Sequence, residues 1–301
     1  MATPDTPKAV SKKPAKAKKS ASRPDLGTIL GILLALTGII GGLLLEKGEI
    51  QDVVQGTAAM IVLGGTFGAV LVTNSLPVVL RALGGLRHVL FEEASATAET
   101  ITALIDYATQ ARKNGIVSLE SQAAGVADPF LRKALGLAVD GTDLQELRKM
   151  MEIDIVLAEQ AVEAEAKVWE AAGGYAPTIG IIGAVMGLIQ VMKHLEDIKA
   201  VGHGIAVAFV ATVYGVGSAN ILFLPIANKL RLRMHAASLR KEMTLEGVIG
   251  IVEGLNPTLI RLKLESYDDQ PKPKPKAAKA VKPATAPKPG KETAAKPVPA
   301  A

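Results

Sequence analysis

Few side chains in the four long apolar runs of this sequence could coordinate an ion or transfer a proton. The runs are Leu26–Leu45, Val53–Val72, Tyr175–Met192 and Ile205–Leu224. None contains Asp, Glu, Lys, Arg or His, and their hydroxyls, chiefly Thr178, Thr212 and Ser218, could coordinate an ion or a water molecule but not relay a proton strongly. Ion transport across a bilayer almost always uses an ionisable group near mid-membrane. The chain therefore either moves nothing or receives a carboxylate from another protein.

The length of the runs indicates membrane spans, because about twenty helical residues cross a hydrocarbon core of about 30 Å. We predict an all-α membrane protein with four transmembrane helices, a helical cytoplasmic insert between spans 2 and 3, and a cytoplasmic helix after span 4. The predicted parts are a disordered basic tail (1–24), a hairpin of spans 1 and 2 (25–80), the insert (81–172), a hairpin of spans 3 and 4 (173–225), the last helix (226–267) and a disordered Pro/Ala/Lys-rich tail (268–301).

Local patterns predict helices in the insert. Apolar residues recur at helical spacing at Ile101, Leu104, Ile105 and Ala108. Asp128-Pro129 and Asp140-Gly141 indicate turns or helix starts, and Asn256-Pro257 should break the last helix. Thr142 followed by Gln145 fits a capping box, and thirty residues without Gly or Pro follow it. This long helix should lead into the third span.

The charge distribution orients the chain. The formal net charge of +5 comes from the two tails, because residues 25–267 hold 19 basic and 25 acidic residues. Basic residues cluster beside one set of span ends, so the positive-inside rule places both termini and the insert in the cytoplasm. Arg231, Arg233, Arg240 and Lys241 would contact lipid headgroups, and Trp169 would anchor at the interface.

Other functional classes have little support in the composition. A nucleic-acid partner is not expected, because the body of the chain is acidic and aromatic residues make up only 3%. The chain has no cysteine, and it shows no phosphate-binding loop, metal-ligand spacing or paired catalytic carboxylates. We predict no enzymatic activity, no cofactor and no metal.

Small residues recur along every span, for example Gly180, Gly183 and Gly187 in the third. Small side chains let apolar helices approach closely in lipid. They could pack the four helices of one chain, or make room for neighbours in a larger assembly. We expect both, with the glycine faces of spans 3 and 4 surrounding a partner helix.

Several motifs together resemble the MotA/PomA family, the larger subunit of the flagellar motor stator. The spans divide two plus two around a cytoplasmic insert. "ARKNGIVSLE" (Ala111–Glu120) is similar to the family's cytoplasmic motif, and "YAPTIGIIGAVMGL" has its Pro-x-x-Gly pattern. "AVAFVATVYG" followed by "FLPIANKL" resembles its fourth span. The resemblance covers residues 25–265.

The resemblance implies partners and residue roles. Copies of the chain, five in the family, would surround a MotB/PomB dimer that brings a membrane aspartate, and the insert would push on the rotor protein FliG. Arg112, Glu120 and Lys113 would face the rotor, with Arg132 and Lys133 as further candidates. Pro177 and Pro225 would couple ion flow to movement. Thr212 and Thr178 would line the ion route, together with Ala184, which replaces a threonine of sodium-driven relatives and so favours protons.

Plainer interpretations stay open for these residues. Pro177 could be an ordinary first-turn proline and Pro225 an ordinary helix end. Arg112 and Glu120 could be a solvated surface pair. The whole protein could instead be an ExbB/TolQ-like energiser of outer-membrane processes, or a passive membrane scaffold.

Overall fold

The computed structural model describes residues 23–92 and 97–267 of the chain. Its α-helices are α1 (Leu26–Leu45), α2 (Ile50–Val53), α3 (Gly56–Ala59), α4 (Gly65–Thr73), α5 (Leu76–Leu90), α6 (Thr97–Asn114), α7 (Glu120–Ala123), α8 (Pro129–Val139), α9 (Leu144–Lys193), α10 (Ile198–Ser218), α11 (Leu224–Val252) and α12 (Pro257–Glu265). Two π-helical turns, Met60–Gly64 and Ala219–Phe223, and a 3₁₀ turn, Ile116–Leu119, join some of them. The predicted all-α fold is confirmed. One two-residue antiparallel pairing, between β1 (Arg23–Pro24) and β2 (Phe91–Glu92), is added to it. The tails predicted at 1–24 and 268–301 lie outside the described residues except for residues 23 and 24.

Four helical runs are long and apolar enough to cross a membrane. The first is α1, whose N-terminus is capped by Asp25: the carboxylate accepts a hydrogen bond from the backbone N–H of Thr28 at 3.1 Å. None of the residues of α1 is buried within the chain. Its apolar side chains therefore face lipid or another protein.

The second span contains a π turn and ends before the uncharged sequence does. The π turn joins α3 to α4, and the helix ends at Thr73, where the side-chain amide of Asn74 donates to the Val70 carbonyl at 3.0 Å. The uncharged sequence that continues to Leu80 begins a separate helix, α5, with Pro77 in its first turn. A proline is tolerated there because the first N–H groups of a helix have no partner within it.

The third span is the end of one 50-residue helix, α9, which runs unbroken from the insert through Pro177. Its N-cap is Asp143, whose carboxylate accepts the N–H groups of Gln145 (2.9 Å) and Glu146 (3.4 Å). The capping box predicted on Thr142 is therefore wrong. The cap is instead made by the carboxylate of Asp143, one residue later, which accepts hydrogen bonds from backbone N–H groups of the first turn.

The fourth span also continues into the cytoplasmic part of the chain. Residues 198–252 form one helical run in which α10, the π turn and α11 follow without a break, and Pro225 lies in the first turn of α11. Pro225 is therefore not a helix end. The predicted break at Asn256-Pro257 is confirmed, because Asn256 caps α12 by accepting the N–H of Thr258 at 3.0 Å.

Two large apolar cores, with a small third cluster between the second and fourth spans, hold the described helices together. The cytoplasmic core joins α6, α8, the start of α9, the end of α11 and α12, and it buries the predicted Ile101, Leu104 and Ala108. The second core joins α4 and α5 to the middle of α9 and the junction of α10 and α11. Both long helices therefore link the membrane to the cytoplasmic core.

Candidate functional site

The glycines of the third span pack against the fourth span of the same chain. A Cβ atom at Gly180 would lie 2.9 Å from the Ala211 carbonyl oxygen, and one at Gly187 would lie 2.7 Å from the Gly204 oxygen. One at Gly183 would meet the Ala211 side chain at 2.8 Å. The backbones of α9 and α10 therefore touch. These three glycines make room for α10 and leave no space for a partner helix on that face, so the expectation that they surround such a helix is wrong.

The candidate ion-path residues are buried within the chain to different extents. Thr212 is half-buried on α10 beside Gly180, and its hydroxyl donates to the Ala208 carbonyl at 3.2 Å. Thr178 is exposed on α9 and donates to the Tyr175 carbonyl at 2.8 Å. Ala184 is half-buried. Each hydroxyl bonds to its own helix and keeps its oxygen lone pairs as acceptors for an ion or water.

The two prolines lie at helix segments that touch each other. Pro177 has no N–H, so the carbonyl of Gly173 receives no helical hydrogen bond from it. A Cβ atom at Gly173 would lie 2.6 Å from Cδ2 of Leu224, the residue before Pro225. The π turn Ala219–Phe223 directly precedes this contact. Both long helices thus have weakened backbone hydrogen bonding at one shared level.

Trp169 is a core residue and not an interfacial anchor. It is 4% exposed, its indole N–H donates to the Ala82 carbonyl at 3.3 Å, and its ring lies 6.0 Å from that of Phe223. The sequence-based interpretation was wrong because α5 and α11 cover this side of α9. The ring fixes α9 to the junction where the π turn meets α11.

Asp25 is a buried charge that the sequence interpretation did not single out. Its carboxylate lies 2.6 Å from the Lys229 ammonium and 2.7 Å from the Arg233 guanidinium. The Lys229 ammonium, the Thr28 N–H and the Arg233 guanidinium hold the pKa of the Asp25 carboxyl well below its usual range, against the opposing effect of burial. The available signal was local: an aspartate directly before an apolar run is a helix N-cap.

Arg231 and Arg233, two of the basic residues after the fourth span, have partners within the chain. Arg233 also donates to the carbonyls of His88 and Phe91, and Arg231 pairs with Glu163 at 2.9 Å and with Glu170. The assignment of Arg231 and Arg233 to lipid headgroups is therefore wrong, whereas the assignment of Arg240 stays a prediction. These ion pairs and hydrogen bonds connect α11 to the N-cap of α1, to the end of α5 and to α9. Lys241 lies over the Phe130 ring, with its ammonium 5.8 Å from the ring centroid.

The far end of the cytoplasmic core, which we call the distal tip, comprises residues 112–120, 140–142 and 252–255. At a rise of 1.5 Å per residue, the distance is about 47 Å from Tyr175 back to the start of α9 and about 41 Å from Pro225 to the end of α11. The tip is therefore the part of the described chain farthest along these helices from the membrane.

The charges predicted to face a rotor lie on this tip. Arg112, Lys113 and Glu120 are exposed, and none forms an ion pair with another described residue. Gly115, with φ of 81°, turns the chain between them. The side chains of Gln110 and Gln122 hydrogen-bond at 2.6 Å across the turn. The hydrogen bond between the two glutamines thus stabilises the turn, while Arg112, Lys113 and Glu120 stay exposed and able to contact another protein.

Arg132 and Lys133 differ from these three residues. Arg132 donates to the Val126 carbonyl from Nε (2.8 Å) and Nη2 (2.5 Å), and Lys133 pairs with Asp154 at 2.5 Å. Both side chains therefore have partners inside the cytoplasmic domain, which makes them weaker candidates for a contact with another protein.

Comparisons with known proteins agree with this architecture. The chain matches the motility protein A N-terminal family over residues 29–115 and the MotA/TolQ/ExbB proton channel family over residues 122–243. It is 35% identical to motility protein A of Helicobacter pylori (strain ATCC 700392 / 26695) over 250 residues, which is 83% of this chain and 97% of that protein. It is 32% identical to chemotaxis protein PomA of Vibrio alginolyticus over 243 residues, 81% and 95% of the two chains.

Solved structures show the same fold. The C. jejuni MotAB structure superposes with a TM-score of 0.78 at 33% identity, covering 82% of this chain and 98% of that one. The flagellar MotAB stator complex from Bacillus subtilis gives a TM-score of 0.74 at 31% identity, covering 80% and 95%. The chain therefore belongs to the MotA/PomA family of flagellar motor stator subunits and is a multi-pass protein of the inner membrane.

Proposed function

We propose that this stator subunit, with a MotB-type partner that supplies a membrane aspartate, couples inward proton flow to torque on the rotor protein FliG. The observation that carries the proposal is that the four described apolar runs contain no Asp, Glu, Lys, Arg or His. A proton crossing this region needs a group that can bind and release it. The relatives solved as MotAB complexes support a second chain as its source.

The outer surface supports assembly with further copies. No residue of α1 is fully buried within the chain, and a Cβ atom added at any of its glycines 31, 38, 41 and 42 would have no neighbouring atom within 4 Å outside the backbone of its own helix. Close helix contacts between subunits need such small residues. We propose a ring of five copies around the partner, with both termini and the insert in the cytoplasm, in agreement with the basic residues beside the cytoplasmic ends.

Protons fit this chain better than sodium. A sodium ion needs several oxygen ligands in place of its hydration shell. Among the candidate ion-path residues, Thr178 and Thr212 each offer one hydroxyl oxygen, whereas Ala184, where the resemblance gives sodium-driven relatives a threonine, offers none. A carboxylate on the partner can carry a proton without such a set of ligands.

The prolines give this chain a place to change shape. When the partner aspartate gains or loses its proton, its favoured position among the surrounding helices changes, and so do the relative energies of the arrangements of the ring. α9 and the α10–α11 run can yield where Gly173 meets Leu224, because hydrogen bonding is weakened there by Pro177, Pro225 and the π turn. Beyond this level both helices run unbroken to the distal tip, so a small bend produces a larger displacement there.

The distal tip would apply the force. Arg112, Lys113 and Glu120 present both signs of charge without internal ion pairs among the described residues. Opposite-sign patterns steer an encounter and set its register more than they add affinity. Such contacts suit an interface that forms and breaks at every step of a motor.

The ion-flow part of the proposal is tested by reconstitution in vesicles. The chain alone should pass no current, and the chain with a MotB-type partner should pass protons in potassium medium without sodium. A matched complex in which the partner's membrane aspartate is changed to asparagine should be silent. Selective current from the chain alone would overturn the proposal.

The rotor contact is tested in swimming cells. Arg112→Ala combined with Glu120→Ala should abolish rotation while the complex still assembles in the membrane. Arg132→Ala is the control, because the Arg132 guanidinium donates hydrogen bonds to the Val126 carbonyl inside the domain and is not free to contact the rotor. Normal rotation in the double variant would remove these charges from the rotor interface.

A further inference from the structure

A cavity of about 530 Å³ lies between α1, the end of α5 and the π turn that joins α10 to α11. We call it the α1 cavity. Its lining is almost entirely apolar, for example Ile32, Leu86 and Ile226, and Lys229 is the one charged residue among the described residues that line it. Binding sites for small molecules have volumes of this size. The proposed function gives this cavity no role.

The cavity exists because α1 packs loosely on the rest of the chain. No residue of α1 is fully buried. Its wall of the cavity contains Gly27, Gly31 and Ala35, which recur every four residues and so share one face of the helix. A Cβ atom at Gly31 would have no neighbour within 4 Å outside the backbone of its own helix. This face therefore borders a gap that the side chains of the described residues do not fill.

The α1 cavity lies within a membrane-spanning segment. From Gly27 to Ala35 the helix rises about 12 Å at 1.5 Å per residue, whereas the 20 residues of α1 span about 30 Å. The cavity therefore reaches from the Asp25 end of the span into the hydrocarbon core.

Water is a poor occupant of such a cavity, because a water molecule needs several polar partners. The one side-chain amide among the described lining residues, that of Asn220, already donates to the Val216 carbonyl at 2.9 Å. The surrounding medium at this depth consists of lipid acyl chains. An acyl chain is therefore the occupant that matches both the lining and the surroundings.

The end of the cavity nearest Asp25 carries an excess of positive charge. Lys229 and Arg233 share the single carboxylate of Asp25, at 2.6 and 2.7 Å. A lysine ammonium has three N–H donors, so Lys229 keeps donors for a second acceptor. Arg87, exposed on the last turn of α5, forms no ion pair with a described residue. A phosphate group at this end would be attracted by these charges.

We propose that the α1 cavity binds an anionic phospholipid, with one acyl chain between α1 and the π turn and the headgroup phosphate on the Lys229 ammonium. Basic pockets between transmembrane helices bind anionic lipid headgroups. The acyl chain completes the packing that α1 lacks, next to Pro225, which also lines the cavity. Such a lipid requires only that the chain lies in a membrane, so its binding goes beyond the proposed function.

The test fills the cavity in the purified stator complex. The complex is reconstituted in bilayers of equal parts phosphatidylglycerol and phosphatidylcholine and extracted into mild detergent, and native mass spectrometry counts the retained phospholipids. The wild type should retain phosphatidylglycerol in preference to phosphatidylcholine. Gly31→Leu should lose that phosphatidylglycerol, because the new side chain occupies part of the cavity.

The matched control is Gly38→Leu. It makes the same change on the same helix, where a Cβ atom is also free of neighbours, but Gly38 is not part of the lining. This variant should retain phosphatidylglycerol like the wild type. Equal losses in the two variants, or equal retention of the two phospholipids by the wild type, would overturn the site. Dissociation of Gly31→Leu alone into smaller species on size exclusion would show that a neighbouring copy covers the cavity, which also overturns it.

A smaller substitution decides the matter if Gly31→Leu does not fold. The chain has no native cysteine, so Ala35→Cys can be labelled selectively with a maleimide. Adding phosphatidylglycerol to the delipidated complex should slow the labelling of Ala35→Cys but not that of Gly38→Cys, and phosphatidylcholine should slow neither. A labelling rate of Ala35→Cys that does not change with phosphatidylglycerol would refute the proposal.

Discussion

Gly215 offers a sharp test of the contact between the third and fourth spans. A Cβ atom there would lie 2.6 Å from the Ala176 carbonyl oxygen and 3.0 Å from Cα of Gly180. Both atoms belong to the backbone of α9, which cannot rotate away as a flexible side chain would. Gly215→Ala should therefore force α9 and α10 apart, or strain them.

The expected loss in the free energy of unfolding follows from comparing two glycine-to-alanine variants on one helical run, Gly215→Ala and Gly217→Ala. Overpacking a close contact costs about 1–3 kcal/mol. Replacing glycine by alanine in a helix also contributes about 1 kcal/mol of stabilisation. Gly217→Ala shares that gain, but outside the backbone of its own helix no atom of the described residues lies within 4 Å of the new Cβ. The difference between the two variants should therefore isolate the overpacking cost, about 1–3 kcal/mol.

The assay is the thermal unfolding of each detergent-solubilised complex, followed by the fraction that remains in the assembled peak on size exclusion. At about 2–4 °C per kcal/mol for a chain of this size class, Gly215→Ala should melt roughly 2–12 °C below Gly217→Ala. Equal midpoints would refute the backbone contact between α9 and α10. A lower midpoint for Gly217→Ala alone would have the same consequence.

Two further predictions concern the charges and the proline. Asp25→Asn should reduce the free energy of unfolding at pH 7 by about 1–3 kcal/mol, because Lys229 and Arg233 lose their shared carboxylate. Because the pKa of Asp25 is lowered, its contribution to the free energy of unfolding is complete above about pH 4 and is lost as the pH falls further. The difference in stability between variant and wild type should therefore narrow in acid, and a difference that widens in acid would contradict this reasoning. The control is Asp154→Asn, at an exposed ion pair, which should lower the free energy of unfolding by at most about 1 kcal/mol. Pro177→Ala should restore an N–H facing the Gly173 carbonyl, leaving protein levels unchanged while reducing torque measured on a tethered bead, and wild-type torque would show that Pro177 is only a tolerated proline.

Local sequence patterns were sufficient for much of the helical framework. Four uncharged runs predicted four spans, because only apolar helices of this length can cross a bilayer. Asp128-Pro129 predicted a turn or helix start and Asn256-Pro257 predicted a helix break. Each signal is local, since the cap that forms there joins a side chain to a backbone N–H two residues away. The family resemblance rested in the same way on short contiguous motifs.

The tertiary structure decided which partners these elements use. Nothing next to Trp169 in the sequence indicates that α5 and Phe223 cover it, and nothing next to Asp25 indicates Lys229 or Arg233, which lie more than 200 residues away. Sequence patterns likewise predicted that Gly180, Gly183 and Gly187 need a close neighbour but not that α10 is that neighbour. Helix formation and membrane insertion depend on residues within a few turns, whereas burial, ion pairing and the continuity of α9 and α11 past their prolines depend on contacts that form only when distant segments pack together.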